Sequence, residues 1–278
     1  MNYFERAKLF RAKKRLGQNF LIDENVIATI IDTADISEDD IVVEIGAGLG
    51  FVTEQLVKLA KKVVAIELDE DMVRELKKIN AENLEIVHND ILKTDLSQFG
   101  QNLKIVANIP YYITSPILAH LLGEVDDLDN KNRKSISEIV MMTQFEAAQR
   151  ICATEKSEGK AYGLLTILSS FNAVPQMVEF VRSKSFFPAP KVNSAIIKFD
   201  VRKEPLLKLN DYSFFKKVTK ACFGTRRKNI KNSLMNGGFS KEAVQKTLVE
   251  LNIPESVRGE TLSIAELGTL SEKLKENL

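Results

Sequence analysis

The strongest constraint on the fold is an alternation of short apolar runs with helical stretches between residues 41 and 142. The apolar runs are rich in β-branched residues and bounded by polar turns, which is typical of buried strands. We predict strands at residues 41–45, 62–66, 84–87, 104–107 and about 136–142. Strands that alternate with helices form a parallel sheet with helices on both faces, so the predicted fold class is α/β.

The rest of the chain completes this sheet and then becomes helical. We predict helices at 24–35, 144–154 and 162–171, a polar loop at 126–134, and a closing antiparallel pair at 174–181 and 194–201. Beyond Pro205 the predicted elements are all helices, at 211–223, 227–235, 240–251 and 263–275. The prediction is therefore a large domain of residues 1–204 and a small all-helical domain of residues 205–278.

A glycine-rich turn, Glu44–Gly50, follows the first of these strands and leads into a helix that begins near Phe51. Gly46 and Gly48 let the backbone turn sharply and let a ligand approach closely. The dinucleotide fingerprint needs a glycine three residues after its second glycine. Phe51 occupies that position, so the fingerprint is not met. The spacing Glu-x-Gly-x-Gly-x-Gly instead resembles motif I of S-adenosylmethionine (SAM) methyltransferases.

Two acidic residues follow the next two strands. Glu67 ends the second strand, where a carboxylate can accept hydrogen bonds from both hydroxyls of a ribose. Asp90 follows the third strand and is placed to accept from the amine of the cofactor's adenine. A single acid after a strand is usually just exposed. Three strand ends in this order predict a nucleoside site, because ligands bind beyond the carboxyl ends of such strands.

The fourth strand ends in Asn108-Ile109-Pro110-Tyr111, which predicts the site of a flat, amine-bearing ring. The side-chain oxygen of Asn108 and a backbone carbonyl near Ile109 can each accept one N–H bond. Tyr111 can stack on the ring, as aromatic residues do on unstacked bases. The N6 amine of adenine fits this set. An ordinary Asn-x-Pro turn after a strand is the alternative.

Four further segments carry a family resemblance. They are Lys14–Leu21, Phe186–Val192, Cys222–Asn229 and Arg258–Ser263. With the motifs above, they make the chain resemble the ribosomal RNA adenine N6,N6-dimethyltransferases, most closely the small-subunit enzymes of KsgA type. The tail at Arg258–Ser263 fits the small-subunit branch rather than the large-subunit enzymes that confer antibiotic resistance.

The resemblance implies a Rossmann-like class I methyltransferase sheet with a small C-terminal helical domain, and SAM as the cofactor. It implies that Asn19 and Leu21 help to close over SAM and that Gly46 contacts its amino-acid part. It also implies that an aromatic residue of the Phe-x-Pro-x-Pro segment stacks on the second face of the adenine. Phe186 matches that motif best, and Phe187 is the second choice.

Two positions depart from the family pattern. Asn193 stands where the family usually has aspartate, and Phe145 interrupts a segment, Gln144–Glu146, that is usually more basic. These departures concern the details of RNA contact rather than the methyl-transfer chemistry.

The distribution of charge indicates an RNA partner, although the net charge is only +1. Six basic residues and no acid lie between Arg6 and Arg15, and seven basic residues and no acid lie between Phe214 and Asn232. Phosphate contacts of this kind dominate affinity without selecting a base. The predicted RNA-binding residues are Lys14, Arg15, Arg226, Arg227, Lys228 and Lys231. A solvated surface is the alternative for each cluster.

Composition excludes several other classes. The chain has no run of eighteen apolar residues, so no membrane span is expected. Cys152 and Cys222 lie far apart and predict reduced thiols in a cytoplasmic protein. Neither cysteine nor histidine has metal-ligand spacing, and no metal is predicted. The basic first fifteen residues resemble a weak transit peptide, but Gly17–Phe20 follows at once as a functional motif.

Three functions remain open from the sequence. The first is dimethylation of adenines in small-subunit rRNA, with rRNA or an immature small ribosomal subunit as the partner and a monomeric enzyme. The second is methylation of large-subunit rRNA. The third is a ribosome-assembly or transcription factor that has kept the fold and lost catalysis. An intact SAM site together with Asn108–Tyr111 favours an enzyme.

Overall fold

A seven-stranded sheet forms the centre of the molecule in the computed structural model, which describes residues 1–157, 161–225 and 227–278. In chain order the strands are β1 Phe20–Leu21, β2 Ile41–Ile45, β3 Lys62–Glu67, β4 Leu84–His88, β5 Leu103–Asn108, β6 Ile136–Gln144, β7 Ala173–Val181, β8 Phe186–Phe187 and β9 Ser194–Val201. The order across the sheet is β4-β3-β2-β5-β6-β9-β7. Strands β2 to β6 pair with one another in parallel, whereas β9 pairs antiparallel with both β6 and β7. The predicted α/β sheet and its closing antiparallel pair are confirmed.

Twelve α-helices accompany the strands in the described ranges. They are α1 Tyr3–Lys8, α2 Glu24–Ala34, α3 Thr53–Leu56, α4 Glu70–Leu76, α5 Thr114–Leu122, α6 Lys131–Ser135, α7 Phe145–Ile151, α8 Leu164–Asn172, α9 Tyr212–Gly224, α10 Ile230–Asn236, α11 Lys241–Glu250 and α12 Ile264–Glu276. Polar residues cap several of them, because the first N–H groups of a helix have no partner within it. The Asp69 side chain, for example, accepts from the Asp71 amide at the start of α4.

The alternating side chains of the strands create two cores. Along β5, Ile105 and Ala107 pack on one face of the sheet, where Ile117 and Leu118 of α5 cover them. Val106 points to the other face, where it packs in the same cluster as α2. Successive residues of a strand point to opposite faces of the sheet, and here both faces are buried. The central strands are therefore continuous apolar runs.

The prediction of a polar loop at residues 126–134 is wrong for the second half of this stretch. Residues Lys131–Ser135 form α6, and the Asn130 side chain caps it by accepting from the Arg133 amide at 2.9 Å. The guanidinium of Arg133 donates to the Leu128 carbonyl at 2.7 Å, and the residue is buried. A short polar helix has no apolar period, so its fold depends on capping and tertiary contact.

The four C-terminal helices pack around a hydrophobic core that they share with residues of the preceding part of the chain. Phe215 of α9 stacks on Phe171 of α8, with ring centroids 5.6 Å apart. Lys216 of α9 reaches Asp126, with an Nζ–Oδ1 distance of 2.7 Å. Helix α9 therefore packs against α8 and forms an ion pair with the loop before α6.

Candidate active site

One cavity lies beyond the carboxyl ends of the central parallel strands. Its walls come from the turns after β2, β3, β4 and β5, from residues 16–21, and from β8. It brings together all the predicted cofactor-binding and base-binding residues, namely Asn19, Leu21, Gly46, Gly48, Glu67, Asp90, Asn108, Pro110, Tyr111 and Phe186. Parallel strands end at a common edge, which brings together Gly46, Glu67, Asp90 and Asn108. The separate β1–β8 pair then adds Leu21 and Phe186 to the same cavity.

The glycine turn forms the floor of the cavity. Gly46 has φ +73° and Gly48 has φ +55°, conformations that residues with a Cβ rarely adopt. A Cβ on Gly46 would lie 3.2 Å from the backbone oxygen of Asn108. The two motifs are therefore in direct backbone contact, and the turn leaves room that a side chain would fill. The residues present fit the amino-acid and ribose parts of SAM.

Glu67 ends β3 with its carboxylate directed at backbone amides. One oxygen accepts from Leu68 and Asp69, each at 2.8 Å, and the other accepts from Gly48 at 2.9 Å. Burial raises the pKa of Glu67 above its ordinary value, although the three backbone N–H groups act in the opposite direction. A carboxylate has about four acceptor positions. The oxygen that faces Gly48 therefore keeps capacity for a ribose hydroxyl.

Glu44, the first residue of the glycine-rich motif, carries a buried carboxyl group to which the sequence analysis assigned no role of its own. Its side chain accepts from the Thr53 hydroxyl at 2.5 Å, and only 4% of the residue is exposed. Burial raises the pKa of Glu44 to about 8, with a further contribution from the charge of Glu67. The group is therefore neutral at neutral pH and links the end of β2 to α3.

This burial predicts a pH dependence of stability. The folded pKa lies above the ordinary value of 4.5, so the stabilising neutral form is lost as pH rises. We expect the free energy of unfolding of the wild type to fall, relative to Glu44→Gln, as pH rises from 4.5 to about 8. Denaturant unfolding of both proteins across this range measures the difference. A difference that does not change with pH contradicts the prediction.

The Asn108–Tyr111 segment is held from two sides. The Tyr111 hydroxyl hydrogen-bonds the hydroxyl of Ser194 at 2.6 Å, and the Thr114 hydroxyl donates to the Tyr111 carbonyl at 3.0 Å. Ile109 is buried, whereas Asn108 is only half-buried at the cavity wall. Within the described part of the chain, the side-chain amide of Asn108 makes no hydrogen bond. Nothing in the sequence around Ser194 signalled its role in orienting Tyr111.

The Phe-x-Pro-x-Pro segment meets the N-terminal motif in a small antiparallel pair. Phe186 pairs with Leu21, and Phe187 pairs with Phe20. Phe186 lines the cavity and is 3% exposed. Phe187 instead packs edge-on against Phe4, with ring centroids 5.5 Å apart, and does not line the cavity. Of the two residues, only Phe186 thus lies at the cavity wall, and its stacking on a base stays a prediction.

Asn19 and Asp90 are tied to the local backbone. The Asn19 amide donates to the Gly17 carbonyl at 3.0 Å. The half-buried side chain of Asp90 accepts from the Leu92 amide at 3.0 Å, as the cap of a single helical turn. Both residues line the cavity, and their contacts with SAM remain predictions.

Comparison with known proteins decides the family. The family model for ribosomal RNA adenine dimethylase matches residues 9–276. The chain belongs to this family. Ribosomal RNA small subunit methyltransferase A of Caldanaerobacter subterraneus is 40% identical over 273 residues, which is 95% of this chain and 97% of the relative. The protein of the same name from Clostridium botulinum (strain Langeland) is 40% identical over 270 residues, 95% of this chain and 94% of the relative.

Solved structures support the same assignment. A dimethyladenosine transferase from Plasmodium falciparum superposes with a TM-score of 0.77 at 27% identity, covering 93% of this chain and 98% of that one. The 23S rRNA methyltransferase ErmE superposes with a TM-score of 0.70 at 27% identity, covering 92% and 100%. The dimethylase chain is thus a SAM-dependent rRNA methyltransferase with a Rossmann-like sheet and C-terminal helices.

The basic residues of the two clusters differ in exposure and in ion pairing, although they form acid-free runs in the sequence. Lys14 and Arg15 are exposed, but Arg6 pairs with Glu54 at 2.8 Å. Arg227 and Lys228 are exposed as well. Arg226 lies outside the described residues. Acids that are remote in sequence thus neutralise part of each cluster.

Lys231 is the clearest example of such neutralisation. Its Nζ lies 2.7 Å from Glu255, and only 18% of its side chain is exposed. Its predicted contact with RNA requires the Glu255 ion pair to yield. Lys14, Arg15, Arg227 and Lys228 face no such competition from a side chain in the described ranges.

Two kinds of feature are absent from the residues that the structure describes. No helix in those ranges is long and apolar enough to span a membrane. No cluster of three or more histidine, cysteine or acidic side chains in them could hold a metal ion.

Proposed function

We propose that this enzyme transfers methyl groups from SAM to N6 of adenines in small-subunit rRNA during ribosome biogenesis, and that the family's two adjacent adenines are the targets. The observation that carries the proposal is the backbone contact between Gly46 and Asn108, which joins the cofactor turn to the base-binding motif. The relatives named for the small subunit support the choice of rRNA.

The residues act mainly by positioning. The lone pair of adenine N6 is delocalised into the ring, so the amine is a poor nucleophile. Hydrogen bonds to the Asn108 oxygen and a nearby backbone carbonyl favour a more tetrahedral nitrogen whose lone pair points at the methyl donor. SAM supplies an electrophilic methyl group on a sulfonium. The N6 proton becomes acidic once the nitrogen is alkylated, so water can accept it without a dedicated base.

The target base must leave its stack to reach the cavity. Tyr111 is placed to cover one face of the adenine, and its hydrogen bond to Ser194 fixes the ring before the base arrives. Phe186, anchored by its pairing with Leu21, is placed to cover the other face. A clamp that is already ordered lowers the entropic cost of binding.

The decisive experiment is mass spectrometry of adenosines in small-subunit rRNA from a strain that lacks this methylation. After incubation with the protein and SAM, we expect N6-dimethyladenosine in small-subunit rRNA and not in large-subunit rRNA. Modification of large-subunit rRNA alone would favour an activity like that of the ErmE neighbour. SAM binding without modification of either RNA would favour an assembly factor.

We further propose that residues 1–204 carry the catalysis and residues 205–278 dock rRNA phosphates, with Lys14 and Arg15 contributing from the catalytic side. The exposed cations Arg227 and Lys228 support this division. We also propose a monomeric, cytoplasmic enzyme that acts on an immature small subunit without a membrane partner.

The docking proposal predicts a change in salt dependence. Replacing Arg227 and Lys228 with glutamine is expected to make the slope of log affinity against log salt less steep. Its magnitude should fall by up to about 2, near one unit per lost phosphate contact. The matched control replaces Lys241 and Lys246, two exposed cations on α11. Filter binding to small-subunit rRNA measures both slopes. Equal slopes for wild type and the Arg227/Lys228 variant would show that these cations are only solvated.

A further inference from the structure

The segment Lys13–Asn19 leads into a wall of the cavity, and two of its side chains bind carboxylates at the start of α4, chiefly that of Asp69. Residues from Leu16 to Leu21 line the cavity opposite Glu67 and Asn108. Asp69 caps α4 two residues beyond Glu67, and only 1% of its side chain is exposed. A buried carboxylate needs paired donors to remain charged. Most of those donors come from the N-terminal segment.

Four contacts hold the segment in place. The Lys13 ammonium lies 2.5 Å from one oxygen of Asp69 and 2.6 Å from Asp71, and the Gln18 amide donates to the other oxygen of Asp69 at 2.6 Å. The Gln18 side-chain oxygen also accepts from the Lys13 backbone amide at 2.8 Å. Lys13 and Gln18 thus hold each other as well as Asp69, and the segment between them is closed into a loop.

The same carboxylate is connected to the cofactor side. The Asp69 backbone amide donates to Glu67 at 2.8 Å, so Asp69 and the predicted ribose acceptor share one turn. Further along the segment, a Cβ on Gly17 would lie 3.1 Å from Pro110 and 3.2 Å from the Tyr112 ring. The segment therefore spans from the cofactor end of the cavity to the base end.

We propose that Lys13, Gln18 and Asp69 form a clasp that sets how long SAM stays bound, by holding residues 16–21 closed over the cofactor. Asp69 is a positioning residue in this scheme, because it acts through the segment and through Glu67. This inference rests on the proposed assignment of the cavity to SAM. Release of SAM then requires the clasp to open, and the clasp takes no part in methyl transfer.

The test is the dissociation rate of SAM, followed in a stopped-flow chase with the full-length protein. Lys13→Met and Gln18→Ala are each expected to speed dissociation roughly tenfold or more. Each removes a hydrogen bond to the Asp69 carboxylate together with one further contact, to Asp71 in the case of Lys13 and to the Lys13 backbone amide in the case of Gln18. The KM for SAM should rise while kcat at saturating SAM stays the same. Lys13→Arg should restore slow dissociation, since it keeps the ion pair.

The control is Arg11→Met, which removes an exposed charge two residues before this segment without touching Asp69. It should leave the dissociation rate unchanged. The proposal is overturned if Lys13→Met dissociates SAM no faster than Arg11→Met, or if its faster dissociation is matched by a lower melting temperature without SAM. A wild type that binds no SAM would instead refute the proposed function.

Discussion

Replacement of Asn108 with alanine is expected to lower the single-turnover rate of adenine methylation about a hundredfold or more, the usual cost of removing one preorganised polar partner. Asn108 ends β5 at the cavity wall, and its amide makes no side-chain hydrogen bond within the described ranges. The alanine variant therefore loses no side-chain hydrogen bond within the described fold, and the lower rate is expected from loss of the proposed contact with the substrate amine. Rapid-quench measurement with saturating SAM and rRNA gives the rate.

Two controls separate chemistry from structure in this variant. Asn108→Ala should melt at nearly the wild-type temperature and should bind SAM with nearly the wild-type affinity. Thr114→Val is a useful comparison, since it removes the hydrogen bond to the Tyr111 carbonyl without touching Asn108. If methylation by Asn108→Ala stays near the wild-type rate, Asn108 is only structural.

Replacement of Glu67 with alanine is expected to weaken SAM binding by about 1–3 kcal/mol, the range for hydrogen bonds to a charged acceptor. The reason is its position at the end of β3, with one oxygen still able to accept from a ribose hydroxyl. Isothermal titration calorimetry with SAM measures the change. The affinity for rRNA should be unaffected, because Glu67 is 8% exposed and faces the cofactor end of the cavity.

This variant also loses stability, and the two effects must be separated. Alanine leaves the amides of Gly48, Leu68 and Asp69 without their acceptor. Calorimetry is therefore done well below the melting temperature of the variant, after circular dichroism has shown a wild-type spectrum. An unchanged SAM affinity in a folded variant would refute the ribose assignment.

Much of the site could be predicted from the sequence because strand ends are marked locally. Gly46, Glu67, Asp90 and Asn108 each follow an apolar run, and parallel strands bring such ends to one edge. Ser194 and Glu44 could not be assigned in this way. Ser194 approaches Tyr111 because β9 pairs with β6. The two hydroxyls come from residues 83 positions apart, and no local pattern encodes such a contact.

By itself, the amino-acid sequence determined the α/β sheet, the order of the motifs and the strand-end residues that line the cavity, because periodicity and turn residues act over short distances. Only the tertiary structure decided which cations are exposed. Lys13 and Lys231 belong to acid-free runs of sequence, yet they pair with Asp69 and Glu255. Tertiary structure also decided between Phe186 and Phe187 as the cavity wall. The physical reason is the same in both cases: ion pairing and burial depend on neighbours that the fold brings from elsewhere in the chain.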